Sequence, residues 1–199
     1  MVLVAKQYGV ALRALLVLTV ILGIAYPLAM TGVGQVAFGT QANGSLVQVD
    51  GKTVGSSLIG QNFTDAKGNP LPQYFQPRPS AAGDGYDANA SSGSNLGPNN
   101  PDLIKAIKER RAQVATFNHV SPSAVPADAL TASASGLDPD ISVAYADLQV
   151  RRVAQARGLS PAAVQHLVDT MTKGRALGVL GEPRVNVLEL NVALNALKG

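Results

Sequence analysis

The feature that most limits what this chain can fold into is the apolar run Ala14–Met30, ALLVLTVILGIAYPLAM, which contains no charged side chain. From there no acid or base appears until Asp50. A helix rises about 1.5 Å per residue, so a helix from near Leu12 to near Val33 covers the roughly 30 Å core of a bilayer. Lys6 and Arg13 precede the run, and every acid follows it. By the positive-inside rule the short N-terminus stays in the cytoplasm and the remainder lies on the outer face of the cell (inner or plasma) membrane. A cleaved signal peptide shares the basic start, but its apolar middle is shorter and ends in an A-x-A-like pattern. Leu28-Ala29-Met30 matches that pattern poorly, and Ala37-Phe38-Gly39 comes late. Pro27 is compatible with a spanning helix, because neighbouring groups satisfy the freed carbonyl. The expected organisation is a cytoplasmic N-terminus over 1–12, a single-pass transmembrane helix over 13–34 and an external domain over 35–199.

The external part is long enough to bury a core of its own. The chain carries a formal charge of +3, but Lys and Arg beyond the anchor are interspersed with Asp and Glu. A nucleic-acid binder would show a clustered basic face. The densest candidate, Lys105 to Arg111, reads as the solvated side of a helix. With no cysteine, disulfides, thiolate metal sites and Cys nucleophiles are excluded. Few aromatics and no Trp point to a core of small residues rather than an aromatic-lined pocket.

Ser45–Val49 alternates, Asp50-Gly51 supplies a type I′ turn and Lys52–Val54 returns, which predicts a β-hairpin. Ser57–Phe63 is a candidate third strand. The stretch from Asp65 to Pro101 is dense in Pro, Gly, Ser and Asn, yet interleaves Tyr74, Phe75, Arg78 and Tyr86. A long loop of that kind is disordered or functional, and its aromatics favour an ordered loop that packs on, or presents, a contact surface. Helices are expected from Pro101 to near Asn118, from the Ser142 cap to Gly158, from the Ser160-Pro161 cap towards Gly174, and from Asn186 with Glu189 three residues on. The fold class is α+β, with a small hairpin and several late helices.

Catalytic constellations are sparse. His119 and His166 are the only imidazoles, and no G-x-S-x-G elbow accompanies them. His119 reads as a helix-end residue and His166 as a surface one. Asp138-Pro139-Asp140 reads as an Asx-turn before Ser142 rather than a metal site. Ser91–Pro98, SSGSNLGP, has neither phosphate-loop spacing.

Several stretches taken together resemble one family in order and spacing. They are Tyr74-Phe75 with Arg78-Pro79-Ser80-Ala81, Ser91–Pro98, Thr131–Pro139 (TASASGLDP), Arg152-Val153-Ala154 and Leu180–Asn191 (LGEPRVNVLELN). The family is the small C subunit of the bacterial potassium-importing Kdp P-type ATPase. Gln76-Pro77 and Asp140 depart from its usual residues. The resemblance implies an accessory, non-catalytic subunit in a complex that uses ATP and K+, and the residues themselves point to no metal site or cofactor held by this chain. Its implied partners are a channel-like potassium-binding subunit, a P-type ATP-hydrolysing subunit and a small membrane peptide. It also implies a catalytic-chaperone role that raises the ATP affinity of the P-type subunit, with the Ser-Gly-rich loop likened to the signature motif of ABC transporters. Outward placement of that loop makes any such influence allosteric. The alternatives are an external domain that stabilises or gates the potassium entrance, and a free-standing tethered binding protein. Interface or functional-loop candidates are Tyr74, Phe75, Arg78, Ser80, Ser91, Gly93, Asn95, Gly97, Ser133, Gly136, Asp138 and Asn186. Arg78 is either the anchor of a contact surface or half of an internal salt bridge.

Overall fold

The computed structural model describes residues 2–197, which fall into two compact units, Met1–Leu46 and Val47–Gly199. In the first, α1 (Val2–Val20) continues through a π-helical turn at Ile21–Ala25 into α2 (Tyr26–Ala37), and α3 (Gly39–Ala42) follows. The π turn sits immediately before Pro27, whose ring crowds the carbonyl four residues back. The helix widens there, and the Tyr26 N–H donates to Ile21 O, one residue further back than in an α-helix. The Thr31 hydroxyl donates to Pro27 O at 2.8 Å and ties the turn after the proline. Lys6–Ala37 forms 32 helical residues long and apolar enough to cross a membrane, with apolar side chains exposed throughout. At about 48 Å that length exceeds a bilayer core.

In the second unit β1 (Leu46–Val49) and β2 (Lys52–Ser56) form the expected hairpin. Its turn residues Asp50 and Gly51 both take positive φ, 50° and 76°, as a type I′ turn requires. The expected third strand does not form. The Ile59 N–H returns to Ser56 O and the Gly60 N–H bonds Leu137 O, so this backbone turns towards a distant loop instead of adding to the hairpin.

Four helices follow: α4 (Pro101–Asn118), α5 (Val143–Arg157), α6 (Pro161–Met171) and α7 (Val187–Ala196). Their N-caps are side-chain oxygens of Asn100, Ser142, Ser160 and Asn186, which accept from Asp102, Tyr145, Ala163 and Glu189 N–H respectively. His119 and Gly158 close α4 and α5 in the left-handed region. The α6 helix stops at Met171, earlier than Gly174, because Thr172–Lys173 forms a strand, β4. With β3 (Asp140–Ser142) and β5 (Arg184–Asn186) it makes an antiparallel sheet in the order β3–β5–β4. Ile141 pairs with Val185 and Thr172 with Val185, so Val185 lies at the centre, fully buried. Strands of two or three residues are too short to show an alternating pattern, and the sequence reading misses this sheet.

The core is built of Val, Ala and Leu rather than aromatics. Val150, Val153 and Ala154 of α5 meet Val164 and Val168 of α6 and Leu190 and Leu194 of α7, with Phe75 and Tyr145 the large exceptions. Complete burial of a valine or leucine stabilises by about 1.5–3 kcal/mol, and short side chains let α6 approach both α5 and α7 closely. From 57 to 100 there is no helix or strand apart from an isolated bridge between Thr64 and Pro70.

Candidate functional site

The irregular region is held by side chains where a sheet would use backbone. Five consecutive carbonyls, of residues 72–76, accept from residues of α5 and α7. Arg152 donates to Pro72 O and Tyr74 O, Arg157 to Gln73 O at 2.7 Å, Asn191 to Phe75 O at 2.9 Å and Gln149 to Gln76 O at 3.1 Å. The Phe75 and Gln76 N–H groups return to Asn191 Oδ1 at 2.9 Å and Gln149 Oε1 at 2.7 Å. Each amide thus grips one backbone residue at both donor and acceptor, as a neighbouring strand would. Arg152 completes its fork with Asn118 Oδ1 and Gln149 Oε1 and stacks 4.4 Å above the Phe117 ring. Burial pushes its guanidinium down to about 10. Phe75 is 0% exposed and belongs to the core rather than to a contact surface. Tyr74, half-buried, lies beneath the Arg157 guanidinium and against Phe63.

A second cluster joins the loop over 78–93 to the loop over 131–138. Arg78 Nη1 pairs with Asp138 Oδ2 at 2.8 Å, and its Nε and Nη2 donate to Thr131 O. Ser80 Oγ donates to Gly136 O at 2.6 Å and accepts from the Ala82 and Tyr86 N–H groups. The Tyr86 hydroxyl donates to Arg78 O at 2.8 Å. Burial raises the Tyr86 phenol, reinforced by the Asp138 charge and opposed by Arg78. Ser91 Oγ and the Ser92 N–H both donate to Ser135 O at 3.0 Å. Gly93 and Gly136 are required by proximity: a Cβ on Gly136 would lie 2.5 Å from Ser92 O, and one on Gly93 2.9 Å from Ala134 O. The Ser133 and Ser135 hydroxyls lie 3.4 Å apart.

Arg78, Ser80, Ser91, Gly93, Ser133, Gly136 and Asp138 are therefore brought together. Tyr74 and Phe75 sit in the irregular segment gripped by side chains, and Asn95 and Gly97 lie on the exposed segment beyond. Asn186 caps α7 and donates to Ser57 O at 2.8 Å. The Asp140 N–H bonds Asp138 Oδ1 at 3.0 Å, forming the Asx-turn. The Asp140 carboxyl is raised by burial, against the lowering influence of Arg184 at 2.7 Å. A cleft of about 380 Å³ beside these groups is lined by Arg78, Asp128, Asp138, Asp140, Glu182 and Arg184. Among the described residues no three His, Asp or Glu side chains converge as a metal site, and His119 and His166 are exposed.

Gln149 and Arg157 belong to no motif that singles them out, and Arg152 and Asn191 enter only as part of the family resemblance. Their signal is a polar residue on the buried stripe of a helix: Gln149 beside Val150, Arg152 beside Val153, Asn191 beside Leu190. Such residues are rarely buried without partners, and here the partners are backbone groups of the irregular segment 72–76.

The match to known proteins runs along nearly the whole chain. The family model described as "KdpC: K+-transporting ATPase, c chain" matches residues 8–196. A protein of Mycobacterium tuberculosis named potassium-transporting ATPase KdpC subunit is 57% identical over 193 residues, covering 96% of this chain and 99% of its own length. Proteins of the same name from Kineococcus radiotolerans and Beijerinckia indica are 56% and 51% identical, covering 96% and 94% of this chain and 94% and 91% of their own lengths. The chain belongs to the KdpC family, the c chain of K+-transporting ATPases.

Proposed function

We propose that this chain works on the outer face of the membrane, where its folded unit stabilises or gates the potassium entrance of a channel-like partner. As a KdpC subunit it is an accessory component of the Kdp K+-transporting ATPase and not its catalytic chain. The observation that carries the outer-face reading is the charge asymmetry about the apolar helix. Lys6 and Arg13 stand before the uncharged run, and the first acid is Asp50. The domains follow as 1–12 inside, 13–34 in the bilayer and 35–199 outside. ATP is on the other side, so a catalytic-chaperone effect on the P-type subunit would reach the nucleotide only as a coupling free energy through the complex. Local structure favours that indirect route. The Ser91–Gly93 stretch bonds Ser135 and packs on Ala134 of its own chain rather than forming an open phosphate cradle. The exposed ends of the 74–98 and 131–140 loops are the proposed contacts for the channel-like and P-type subunits and the small membrane peptide.

Because the chain lacks cysteine, sidedness is directly testable. A Ser94→Cys variant in intact cells, treated with a membrane-impermeant maleimide, labels without permeabilisation if the unit is external. Labelling that requires permeabilisation would overturn the outer-face reading and restore direct nucleotide contact.

A further inference from the structure

Between β4 and β5 the chain runs out from the sheet and presents three aliphatic side chains to solvent. Leu177 is 90% exposed, Val179 72% and Leu180 60%. Among the described residues of the unit Val47–Gly199, no other large apolar side chain is as exposed as Leu177 or Val179. The segment has a built conformation. The Ala176 and Leu180 N–H groups bond each other's carbonyls at 2.8 and 2.9 Å, and the Gly178 N–H bonds Arg175 O at 3.1 Å. Leu177 itself takes φ 53°, the left-handed region that a bulky side chain rarely occupies. A leucine held in that conformation, with its side chain in water, gains nothing for the fold, and such outliers gather at functional sites.

Charge at the base narrows what it meets. Arg175 pairs with Glu182, Lys173 with Glu189 and Arg184 with Asp140, each at 2.7 Å. Among the described residues each of these three cations has a carboxylate partner, and 174–183 contains no aromatic residue. An anionic lipid surface is recognised by free Lys or Arg and by interfacial Trp or Tyr, and the finger offers neither. A neutral, pre-ordered apolar tip complements an uncharged apolar depression in a protein, and its order lowers the entropic cost of docking. We infer that Leu177, Val179 and Leu180 form a docking finger that inserts into an uncharged apolar depression on the outer surface of another subunit of the same complex. This rests on the outer-face assembly reading above.

The test places a single cysteine at the tip. The full chain carrying Leu177→Cys is reacted with a hydrophilic maleimide alone in detergent, alone in liposomes and within the purified complex, and labelling of this chain is read by its mass. Rapid reaction in the first two preparations and at least tenfold slower reaction in the complex is the expected result. Protection in liposomes alone would assign the finger to lipid, and protection in detergent rising with concentration to a second copy of the chain. Either result, or equal rates in all three, overturns the proposal. Leu177→Gly, which the left-handed backbone accepts, is expected to keep the melting temperature of the free chain and lower its recovery with the complex at least fivefold. Undiminished recovery also overturns it. If the wild-type chain itself is recovered with no other subunit, the assembly reading falls together with the finger, and this control separates that failure from failure of the finger alone.

Discussion

The two segments that regular structure does not explain, 72–93 and 174–183, solve opposite problems. The first is irregular in backbone, yet its carbonyls and N–H groups bond Arg152, Gln149, Asn191, Arg157 and, at the Ser92 N–H, Ser135 O of the facing loop. The second is regular enough to bond itself across Ala176 and Leu180, yet leaves its aliphatics in water. A Pro- and Gly-rich loop is thus the more deeply integrated of the two, and a short β-extension the more outward-looking. Order and burial are separate properties: backbone bonding decides the one, and side-chain partners the other.

Breaking the side-chain grip should have the largest effect. Arg152→Ala leaves Pro72 O and Asn118 Oδ1 without their Arg152 donor and Tyr74 O with only the longer bond from Gln76 Nε2. Unmade buried bonds cost about 1–3 kcal/mol each, so a stability loss of about 3 kcal/mol or more is expected, read as a lower urea midpoint of the full chain. A midpoint within experimental scatter of wild type would mean that Arg157, Asn191, Gln149 and Phe75 burial hold 72–76 without Arg152.

Glycine replacements sharpen the contrast inside the first segment and its partner loop. Gly136→Ala brings a methyl into Ser92 O, Ala82 N and Ala82 Cβ at φ 69°, and overpacking of this kind costs about 1–3 kcal/mol. Gly97→Ala meets nothing within 4 Å and should stay within about 0.5 kcal/mol. Limited proteolysis should cut the Gly136 variant faster within 84–97, and the two glycines would be equivalent if both variants were cut alike.

The pH dependence tests the core beneath the gripped segment. Burial pushes the Tyr145 phenol up to about 12. Between pH 10 and 12 the folded state keeps a proton that the unfolded state has lost, so stability is full below pH 10 and falls as pH rises towards 12. Two pH units correspond to a loss on the order of 2 kcal/mol. Tyr145→Phe should remove that part of the slope in urea midpoints, and an unchanged slope would exclude Tyr145 as its source.

The smallest effect belongs to the finger. Leu177→Gly relieves a left-handed leucine that touches little and should change the free chain's stability by less than about 0.5 kcal/mol. A larger loss would show that the tip packs on its own unit, and the contrast between the two segments would collapse.

Much of this architecture was legible in the chain. The uncharged run Ala14–Met30, the Asp50-Gly51 turn and the caps at Ser142, Ser160 and Asn186 are local signals. Each rests on the chemistry of a few neighbouring residues, and each led to the right kind of element. The order and spacing of the loop motifs were enough for the family. The candidate site was legible only in its membership. Arg78, Ser80, Ser91, Gly93, Ser133, Gly136 and Asp138 were singled out, but no local rule says that Arg78 turns inward to Asp138 across sixty positions of chain.

The apolar helix, the turns, the helix starts and the family follow from the string of residues, because those depend on interactions within a few residues or on the order of the whole chain. Tertiary structure alone decided the β3–β5–β4 sheet, the grip of α5 and α7 on residues 72–76 and the exposure of Leu177. Each of these depends on which donor finds which acceptor, or which methyl finds a neighbour, between segments far apart in the chain. Hydrogen bonds and packing act at contact range, and only the folded chain sets what is in contact.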